Sequence, residues 1–488
     1  MYTRNLAMLT DFYEITMANG YFKKNMKDKI VYFDMFFRKI PDQGGFAIMA
    51  GLQPLIDYLN NLEFSDDDID YLKSKKMFSD EFLEYLRNFK FECDLWAVPE
   101  GTPIFPNEPI VKVKGPIIQA QLVETMILLI VNHQSLIATK TNRIVRAAQG
   151  RPVIEFGSRR AQGADAAVVG ARSAYIGGAV GTACTIAEQL YGIPAGGTMA
   201  HSWVQLFDTE YDSFKAYAET YPSKCTLLVD TYNVLKSGVP NAIKVFDEVL
   251  KPLGFRPQGI RIDSGDIAYL SKKARTMLDD AGYSDCKIVV SNSLDEDIIR
   301  DLILQDAKVD TFGVGERLIT AKSEPVFGGV YKLVAVEKDG KVVPKIKVSA
   351  NVEKITTPGA KKVYRLYNKE NNKAIADLIT LDHESIDDTK PYILFNPIHT
   401  WKRKKLDNFY AKELLVPVFK NGKQVYTSPA VNEIRDYCEK EVNRLWDEIL
   451  RFENPHRYFI DLSYDLWIMK QSLLNEHSEV QLNTTFNK

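Results

Sequence analysis

The feature that most restricts the fold is a regular alternation of short apolar segments with helical patterns from about Thr141 onward. Six segments are typical of β-strands and their ends: PVIEFG (152–157), CTLLVDTYN (225–233), GIRIDSGD (259–266), KIVVSNSLDED (287–297), VDTFGVGERLIT (309–320) and GGVYKLVAV (328–336). Continuous apolar strands that alternate with helices predict a parallel sheet. Six such units predict a closed or nearly closed α/β barrel, and a doubly wound open sheet is the alternative.

Polar and glycine-rich residues follow these strands. In parallel α/β folds the carboxyl ends of the strands form the edge that carries the ligand site, so residues that are distant in the chain can meet there. The positions expected at this edge are Arg159, His201, Asp230, Asp263, Ser291 and Gly313.

The length of the chain predicts structure outside the barrel, because 488 residues exceed the size of a single hydrophobic core. Residues 1–140 mix helical and strand patterns and residues 141–340 form the predicted barrel. Residues 341–488 contain a predicted β-hairpin, with NKENNK as its turn, and a helical segment.

Charge and cysteine content exclude several classes of protein. Sixty-two Lys and Arg against 64 Asp and Glu give a formal net charge of -2, which argues against a nucleic-acid partner. Five widely spaced cysteines without a CxxC pair argue against a disulfide framework and a zinc site. The apolar stretch Gln121 to Ile137 is interrupted by polar residues, so we expect a buried helix and no membrane partner. The N-terminus lacks the apolar core of a signal peptide, and we expect a cytoplasmic protein.

A histidine lies within the segment GIPAGGTMAHSWVQ (192–205). Gly196 and Gly197 allow the backbone to approach a ligand closely, and Thr198 supplies a hydroxyl. His201 could accept a proton, a metal ion or a phosphoryl group. A hydrogen-bonded histidine beneath an ordinary turn is the alternative.

Two strand ends have the composition of phosphate sites, although no Walker A motif occurs. Gly313 and Gly315 lie in FGVGERL, and Ser291 begins SNSLDE; both segments precede a predicted helix start. Backbone N–H groups at such positions suit a phosphate. An ordinary helix cap is the alternative for each segment.

Two more strand ends carry charged side chains. Arg159 and Arg160 follow Phe156, and together they could bind an anionic ring; exposed ion pairing is the alternative. In RIDSGD, Asp263 and Asp266 could coordinate Mg²⁺ and hold sugar hydroxyls, whereas turn formation is the alternative.

Seven of these and neighbouring motifs closely resemble the nicotinate phosphoribosyltransferase family over roughly residues 5–350. They are TDFYEITM, FFRKIP, EFGSRRAQGADAA, GTMAHSWVQ, RIDSGD, FGVGERLIT and GGVYKLVAV. The resemblance implies an irregular α/β barrel of the type II phosphoribosyltransferase kind, with an α+β accessory domain built from the N- and C-terminal segments. It also implies a homodimer with sites at its interface.

The implied reaction joins nicotinate to 5-phosphoribosyl 1-diphosphate (PRPP) and gives nicotinate mononucleotide and diphosphate. ATP hydrolysis is coupled through a phosphohistidine, and Mg²⁺ is required; its ligands stay unassigned. The motif positions imply that His201 is phosphorylated, that Asp230 orients it, and that Asp263 holds the ribose hydroxyls. The implied substrate-binding positions are Tyr13, Phe156, Arg159, Thr198, Arg261, Ser291, Gly313, Gly315 and Thr320, with Tyr13 and Phe156 as an aromatic sandwich around nicotinate.

Three other functions fit parts of this pattern. A nicotinamide phosphoribosyltransferase shares the fold, but a carboxylate suited to a neutral amide is expected where this chain has the uncharged Thr198. A quinolinate phosphoribosyltransferase is much shorter and needs more cationic residues. A non-catalytic nucleotide-binding barrel is disfavoured by the presence of His201 and Asp263.

Overall fold

The computed structural model describes residues 5–477. Its α-helices are α1 (Phe12–Lys23), α2 (Leu52–Asn60), α3 (Asp66–Ser74), α4 (Asp80–Arg87), α5 (Ile117–Gln121), α6 (Glu124–Ala147), α7 (Ala164–Ile176), α8 (Thr185–Tyr191), α9 (His201–Leu206), α10 (Glu210–Thr220), α11 (Val239–Val245), α12 (Ile267–Asp280), α13 (Glu296–Leu304), α14 (Glu316–Ile319), α15 (Val431–Val442) and α16 (Tyr464–Glu476). Its β-strands are β1 (Ile30–Phe37), β2 (Ala47–Ile48), β3 (Asp94–Ala97), β4 (Pro103–Ile104), β5 (Val111–Pro116), β6 (Val153–Glu155), β7 (Gly181–Thr182), β8 (Thr226–Leu228), β9 (Gly259–Ile262), β10 (Lys287–Val290), β11 (Thr311–Val314), β12 (Gly329–Lys338), β13 (Lys341–Pro344), β14 (Lys361–Asn368), β15 (Ala374–Leu381), β16 (Tyr392–Phe395), β17 (Arg403–Leu406), β18 (Phe409–Glu413), β19 (Val416–Lys420), β20 (Lys423–Gln424) and β21 (Ile460–Leu462).

The described residues divide into two compact units. The first comprises 5–136, 326–429 and 436–477, and the second comprises Ile137–Pro325 and Ala430–Arg435. The second unit thus ends before β12, whereas the predicted barrel segment extends to residue 340. Segments from both ends of the chain contribute to the first unit.

The second unit is organised around a six-stranded sheet with the order β7-β6-β11-β10-β9-β8. Every neighbouring pair in this sheet is parallel. Its strands are short and apolar, and residues such as Leu227, Ile260, Ile288 and Phe312 are fully buried. Helices follow the strands along the chain, as the alternating pattern predicts, so the carboxyl ends of β6, β8, β9, β10 and β11 share one edge.

The prediction is wrong for one of the six strands assigned to this sheet. The segment GGVYKLVAV forms β12, which pairs antiparallel with β1 in the first unit rather than extending the parallel sheet. The physical reason is visible in its side chains: Lys332 and the half-buried Val330 interrupt the apolar run expected of a strand covered on both faces. Tyr331 instead points inward, and its ring stacks on Phe33 of β1 at a centroid distance of 4.7 Å.

The first unit is mainly antiparallel. Its larger sheet has seven strands in the order β13-β12-β1-β5-β3-β19-β20, and a second sheet has the order β18-β14-β15-β21. The predicted NKENNK hairpin is confirmed, because β14 and β15 pair antiparallel on either side of that turn. The helix α1, which carries Tyr13, also belongs to this unit.

The longest apolar stretch, Ile117–Ala147, covers α5 and α6 and is long and apolar enough to cross a membrane by composition alone. However, 72% of its most apolar window is buried inside the protein. Residues such as Ile127, Val131 and Ile144 are almost completely buried. The burial confirms the prediction of a core helix.

Candidate active site

The candidate site lies at the carboxyl edge of the parallel sheet. Phe156 directly follows β6, Asp263 directly follows β9, and Ser291 directly follows β10. Asp230 comes two residues after β8, and Gly315 directly follows β11. Because these strands are parallel neighbours, their following residues converge in space, as the sequence predicts.

Arg261 hydrogen-bonds three other residues of this site. Its Nε donates to Ser291 Oγ at 2.9 Å, its Nη2 donates to Asp263 Oδ1 at 3.0 Å, and its Nη1 lies 3.4 Å from Thr198 Oγ1. The planar guanidinium is therefore held from three directions. Such a pre-oriented arginine suits a carboxylate ligand, since its fork geometry matches two oxygens.

The ring of Phe156 packs against this arginine. The guanidinium carbon of Arg261 lies 5.6 Å from the ring centroid, within the range of a cation–π contact. A Cβ atom on Gly313 would stand only 2.4 Å from Phe156 Cε2. Gly313 therefore provides the space in which the phenyl ring lies, a packing role that differs from the phosphate contact expected for it.

The hydroxyl of Ser291 is less accessible than a phosphate-binding role requires. Its side chain is buried, and its hydroxyl donates to Asp263 Oδ1 while it accepts from Arg261 Nε. The helix that follows, α13, is capped by the side chain of Asp295 and has Glu296 and Asp297 in its first turn. These carboxylates occupy the end of the helix that would otherwise attract a phosphate, so the geometry does not favour a phosphate cradle in SNSLDE.

His201 is the first residue of α9, and 40% of its side chain is exposed. Its Nδ1 lies 3.1 Å from Thr231 Oγ1. Its Nε2 lies 3.7 Å from Asp263 Oδ2. One ring nitrogen is thus hydrogen-bonded and the other faces a carboxylate at more than hydrogen-bond length.

Asp230 does not orient the histidine in the way the sequence predicts. Its Oδ2 accepts from the backbone N–H of Asp263 at 3.1 Å and from Ser264 Oγ at 2.5 Å. Among the described residues, Thr231 rather than Asp230 hydrogen-bonds His201. The reason is that the chain turns after β8, so the aspartate and the threonine that follows it face different partners.

Thr231 is thus a site residue that sequence reasoning missed. It directly follows Asp230 in CTLLVDTYN, at a strand end already identified as functional. Its hydroxyl was the available signal, because a side chain next to the expected partner of His201 can take over that partner's hydrogen bond.

The other predicted site residues lie at the edge of this cluster or outside it. Thr320 follows α14, and its hydroxyl donates to the backbone oxygen of Glu316 at 2.8 Å. Arg159 lies in the turn Ser158–Arg160, and its side chain is exposed and has no hydrogen bond or ion pair with another described residue. Tyr13 belongs to the first unit and is 46% exposed, so its pairing with Phe156 stays a prediction.

The described residues contain no group of three or more His, Cys, Asp or Glu side chains arranged to hold a metal ion. One carboxylate oxygen is nevertheless notable: Asp230 Oδ1 is buried and has no hydrogen-bond partner in the part of the chain that the structure describes. Such an acceptor needs a donor or a cation in the working protein.

Three family models match consecutive parts of the chain. The nicotinate phosphoribosyltransferase N-terminal domain matches residues 8–132, the nicotinate phosphoribosyltransferase family matches residues 152–371, and the corresponding C-terminal domain matches residues 360–470.

Individual relatives agree with these matches. The chain is 46% identical to the nicotinate phosphoribosyltransferase of Bacillus subtilis over 97% of this chain and 96% of that protein. It is 40% identical to the Mycobacterium tuberculosis nicotinate phosphoribosyltransferase pncB2 over 92% of this chain and 89% of the relative.

A solved structure has the same fold. The crystal structure of human nicotinic acid phosphoribosyltransferase superimposes with a TM-score of 0.83 and 28% identity, covering 96% of this chain and 100% of the human chain. The expected irregular α/β barrel with an accessory α+β domain is therefore confirmed. Together with the geometry of the strand ends, these similarities show that the chain belongs to the nicotinate phosphoribosyltransferase family.

Proposed function

We propose that this protein joins nicotinate to PRPP, giving nicotinate mononucleotide and diphosphate for NAD salvage, with ATP hydrolysis coupled through a phosphohistidine at His201. The observation that carries this proposal is the position of Asp263. Its Oδ1 binds Arg261 and its Oδ2 faces His201, so one carboxylate joins a site for an anionic ring to an exposed histidine.

The ring site is built for a flat anion. Nicotinate carries one carboxylate on an aromatic ring, and the side chains of Phe156 and Arg261 offer a ring face and a cation. Thr198 adds a hydroxyl beside the same guanidinium. The pairing of Tyr13 with the ring stays a prediction; burial together with the nearby carboxylate of Glu124 raises the pKa of Tyr13, so its phenol stays neutral.

His201 has the two features that a phosphoryl acceptor needs. Part of its ring is exposed, and the hydroxyl of Thr231 engages Nδ1. The lone pair of Nε2 is then free to form a bond with the γ-phosphorus of ATP, while the bond to the β–γ bridging oxygen breaks and ADP leaves with that electron pair. Water later releases inorganic phosphate from the imidazole and restores the histidine.

The transfer of the phosphoribosyl group needs charge stabilisation more than a base, because the pyridine nitrogen of nicotinate already carries a lone pair. Positive charge develops on the ribose as diphosphate departs. In this proposal Asp263 faces the ribose hydroxyls, and Gly315 and Thr320 at the end of β11 contact PRPP. Arg159, exposed and without a described hydrogen bond or ion pair, is available to the diphosphate.

The residues present fit a hydrated Mg²⁺ ion. This cation binds through one or two carboxylates and substrate phosphates and keeps several waters, so it does not require a cage of protein ligands. Asp230 Oδ1, buried and without a described partner, would hold the ion directly or through a water. When bound, Mg²⁺ neutralises the charge that builds on the departing phosphate groups.

We further propose a homodimer in the cytoplasm. Helix α1 exposes Phe12, Tyr13 and Met17, and Leu9 is exposed just before the helix; a second copy of this chain would cover these apolar side chains. All five cysteines are free and buried, which suits a reducing compartment. Neither ligation nor assembly depends on a nucleic acid or a membrane in this proposal.

An assay with purified protein tests the activity. We expect nicotinate mononucleotide to form from nicotinate, PRPP and Mg²⁺, and ATP to increase the yield while ADP accumulates. Nicotinamide in place of nicotinate is the matched control, and it should give little product because Arg261 offers a cation to a neutral amide. Equal turnover of the two substrates, or none of either, would contradict the proposal.

A further inference from the structure

Ser291 holds a position that the phosphate interpretation does not explain. Only 4% of the residue is exposed, and its single hydroxyl proton is donated to Asp263 Oδ1. Ser291 Oγ itself accepts from Arg261 Nε at 2.9 Å. The hydroxyl therefore has no proton left for a substrate, and burial keeps it from a phosphate.

The consequence for Arg261 follows from the shape of the guanidinium. Its Nε donates to Ser291 and its Nη2 donates to Asp263, so these two acceptors occupy one edge of the planar group. The other edge, formed by Nη1 and the second proton of Nη2, faces away from them. The described hydrogen-bond partner on that edge is Thr198 Oγ1, at 3.4 Å from Nη1. That edge can receive both oxygens of a carboxylate.

Ser291 also restricts the orientation of the Asp263 carboxylate. Its Oδ1 is held by both Ser291 and Arg261, which fixes the rotation of the carboxylate. Its Oδ2 then points toward Nε2 of His201, at 3.7 Å. Asp230 fixes the backbone at this point, because its Oδ2 accepts from the N–H of Asp263.

From these contacts we infer that Ser291 is a positioning residue, which sets the carboxylate-binding edge of Arg261 and the histidine-facing oxygen of Asp263 at the same time. This inference rests on the proposed function. The Ser291 hydroxyl holds both Arg261, which faces nicotinate, and Asp263, which faces His201. Its removal should leave both side chains less well positioned. A purely structural serine would affect all substrates equally, whereas this one should affect nicotinate binding and ATP coupling more than PRPP binding, which it reaches only through Asp263.

The test compares Ser291→Ala with Ser293→Ala. Ser293 is exposed, lies two residues away in the same loop, and has no described side-chain hydrogen bond, so it is a matched control. We expect Ser291→Ala to raise KM for nicotinate about tenfold, the usual effect of losing a hydrogen bond to a charged group. KM for PRPP should rise by a smaller factor than KM for nicotinate, and more ADP should form per nicotinate mononucleotide. Ser293→Ala should match the wild type.

A second variant distinguishes the loss of the hydrogen bond from a folding defect. Ser291→Cys fills nearly the same volume with a weak hydrogen-bonding group, so it should fold and shift the same parameters in the same direction. Wild-type values of nicotinate KM and of ADP per product in both variants, or an equal loss toward nicotinate and PRPP, would overturn the positioning role. A wild-type enzyme that forms no nicotinate mononucleotide would contradict the proposed function as well, and that outcome is visible before any variant is measured.

Discussion

The Nδ1 atom of His201 lies 3.1 Å from the hydroxyl of Thr231, and no other described residue hydrogen-bonds this nitrogen. In a neutral imidazole one nitrogen carries the proton and the other carries the lone pair. If Nδ1 donates to Thr231, the lone pair is on Nε2, on the side of Asp263. The Thr231 hydroxyl can accept that proton, so its hydrogen bond restrains the ring and fits the tautomer that can accept a phosphoryl group.

Replacing Thr231 with valine should slow the formation of phosphohistidine about tenfold, because the hydrogen bond that holds the imidazole ring at Nδ1 is lost. The methyl groups keep the shape of the side chain, so the thermal midpoint should change little. Rapid-quench measurement of the phosphoenzyme gives the rate directly. Thr231→Ser keeps the hydroxyl and should behave as the wild type; equal rates for Val and Ser variants would contradict the role.

Replacing Arg261 with lysine keeps the charge but removes the planar fork that meets Ser291, Asp263 and a carboxylate. We expect KM for nicotinate to rise about 100-fold, since at least one charge-assisted hydrogen bond pair is lost. Steady-state kinetics with nicotinate varied at saturating PRPP measure this effect. Arg256→Lys is the control, because Arg256 pairs with Asp285 and the backbone oxygen of Gly282 at the surface; a similar rise there would show a nonspecific effect.

Replacing Gly313 with alanine would place a Cβ atom against the ring of Phe156 and push the ring from its position under Arg261. We expect a loss of about 1–3 kcal/mol in unfolding free energy, the usual cost of overpacking, and weaker nicotinate binding. Gly20→Ala is the matched control, because no atom lies within 4 Å of a Cβ at that position. Chemical denaturation and calorimetric titration with nicotinate distinguish the two variants.

A fourth prediction concerns Glu14, which is buried beside Tyr13 in the first unit. Burial raises its pKa to about 7, although the hydroxyls of Thr125 and Thr10 partly compensate by donating to its carboxylate. The folded protein therefore binds this proton more tightly than the unfolded chain does. The resulting stability is fully present below the ordinary glutamate pKa and is lost as pH rises through about 7.

The measurement is the urea midpoint at pH 5 and at pH 8 for the wild type and for Glu14→Gln. The free energy of unfolding of the wild type, obtained from the urea curves, should fall by up to about 3 kcal/mol between these pH values because of Glu14. That of the glutamine variant should fall correspondingly less. Identical pH dependence in the two proteins would show that Glu14 does not titrate in this way.

The sequence predicts the edge of the sheet on which the site lies, because each apolar strand ends in a polar or glycine-rich turn and parallel strands bring those turns together. It does not predict which polar atoms pair. Asp230 and Thr231 are neighbours in the chain, and only the path of the backbone after β8 decides that the threonine contacts His201. Likewise, the contact of Ser291 with Arg261 depends on the pairing of β10 with β9.

The wrong assignment of β12 to the parallel sheet has a similar cause. Periodicity over ten residues describes burial but not pairing, and a strand of mixed polarity fits the edge of a barrel or an antiparallel sheet equally well. Its partner β1 lies about 300 residues earlier in the chain, with Val31 opposite Val336. A contact over that separation leaves no local pattern in the sequence.

The central claim is that His201 carries a phosphoryl group during the reaction. Mass spectrometry of the protein after incubation with Mg²⁺ and ATP, with acid avoided at every step, tests it most directly. We predict an acid-labile phosphate on the peptide that contains His201, which disappears when nicotinate and PRPP are added and is never formed by His201→Ala. A wild-type protein that turns over nicotinate at full rate while this peptide stays unmodified would contradict the account.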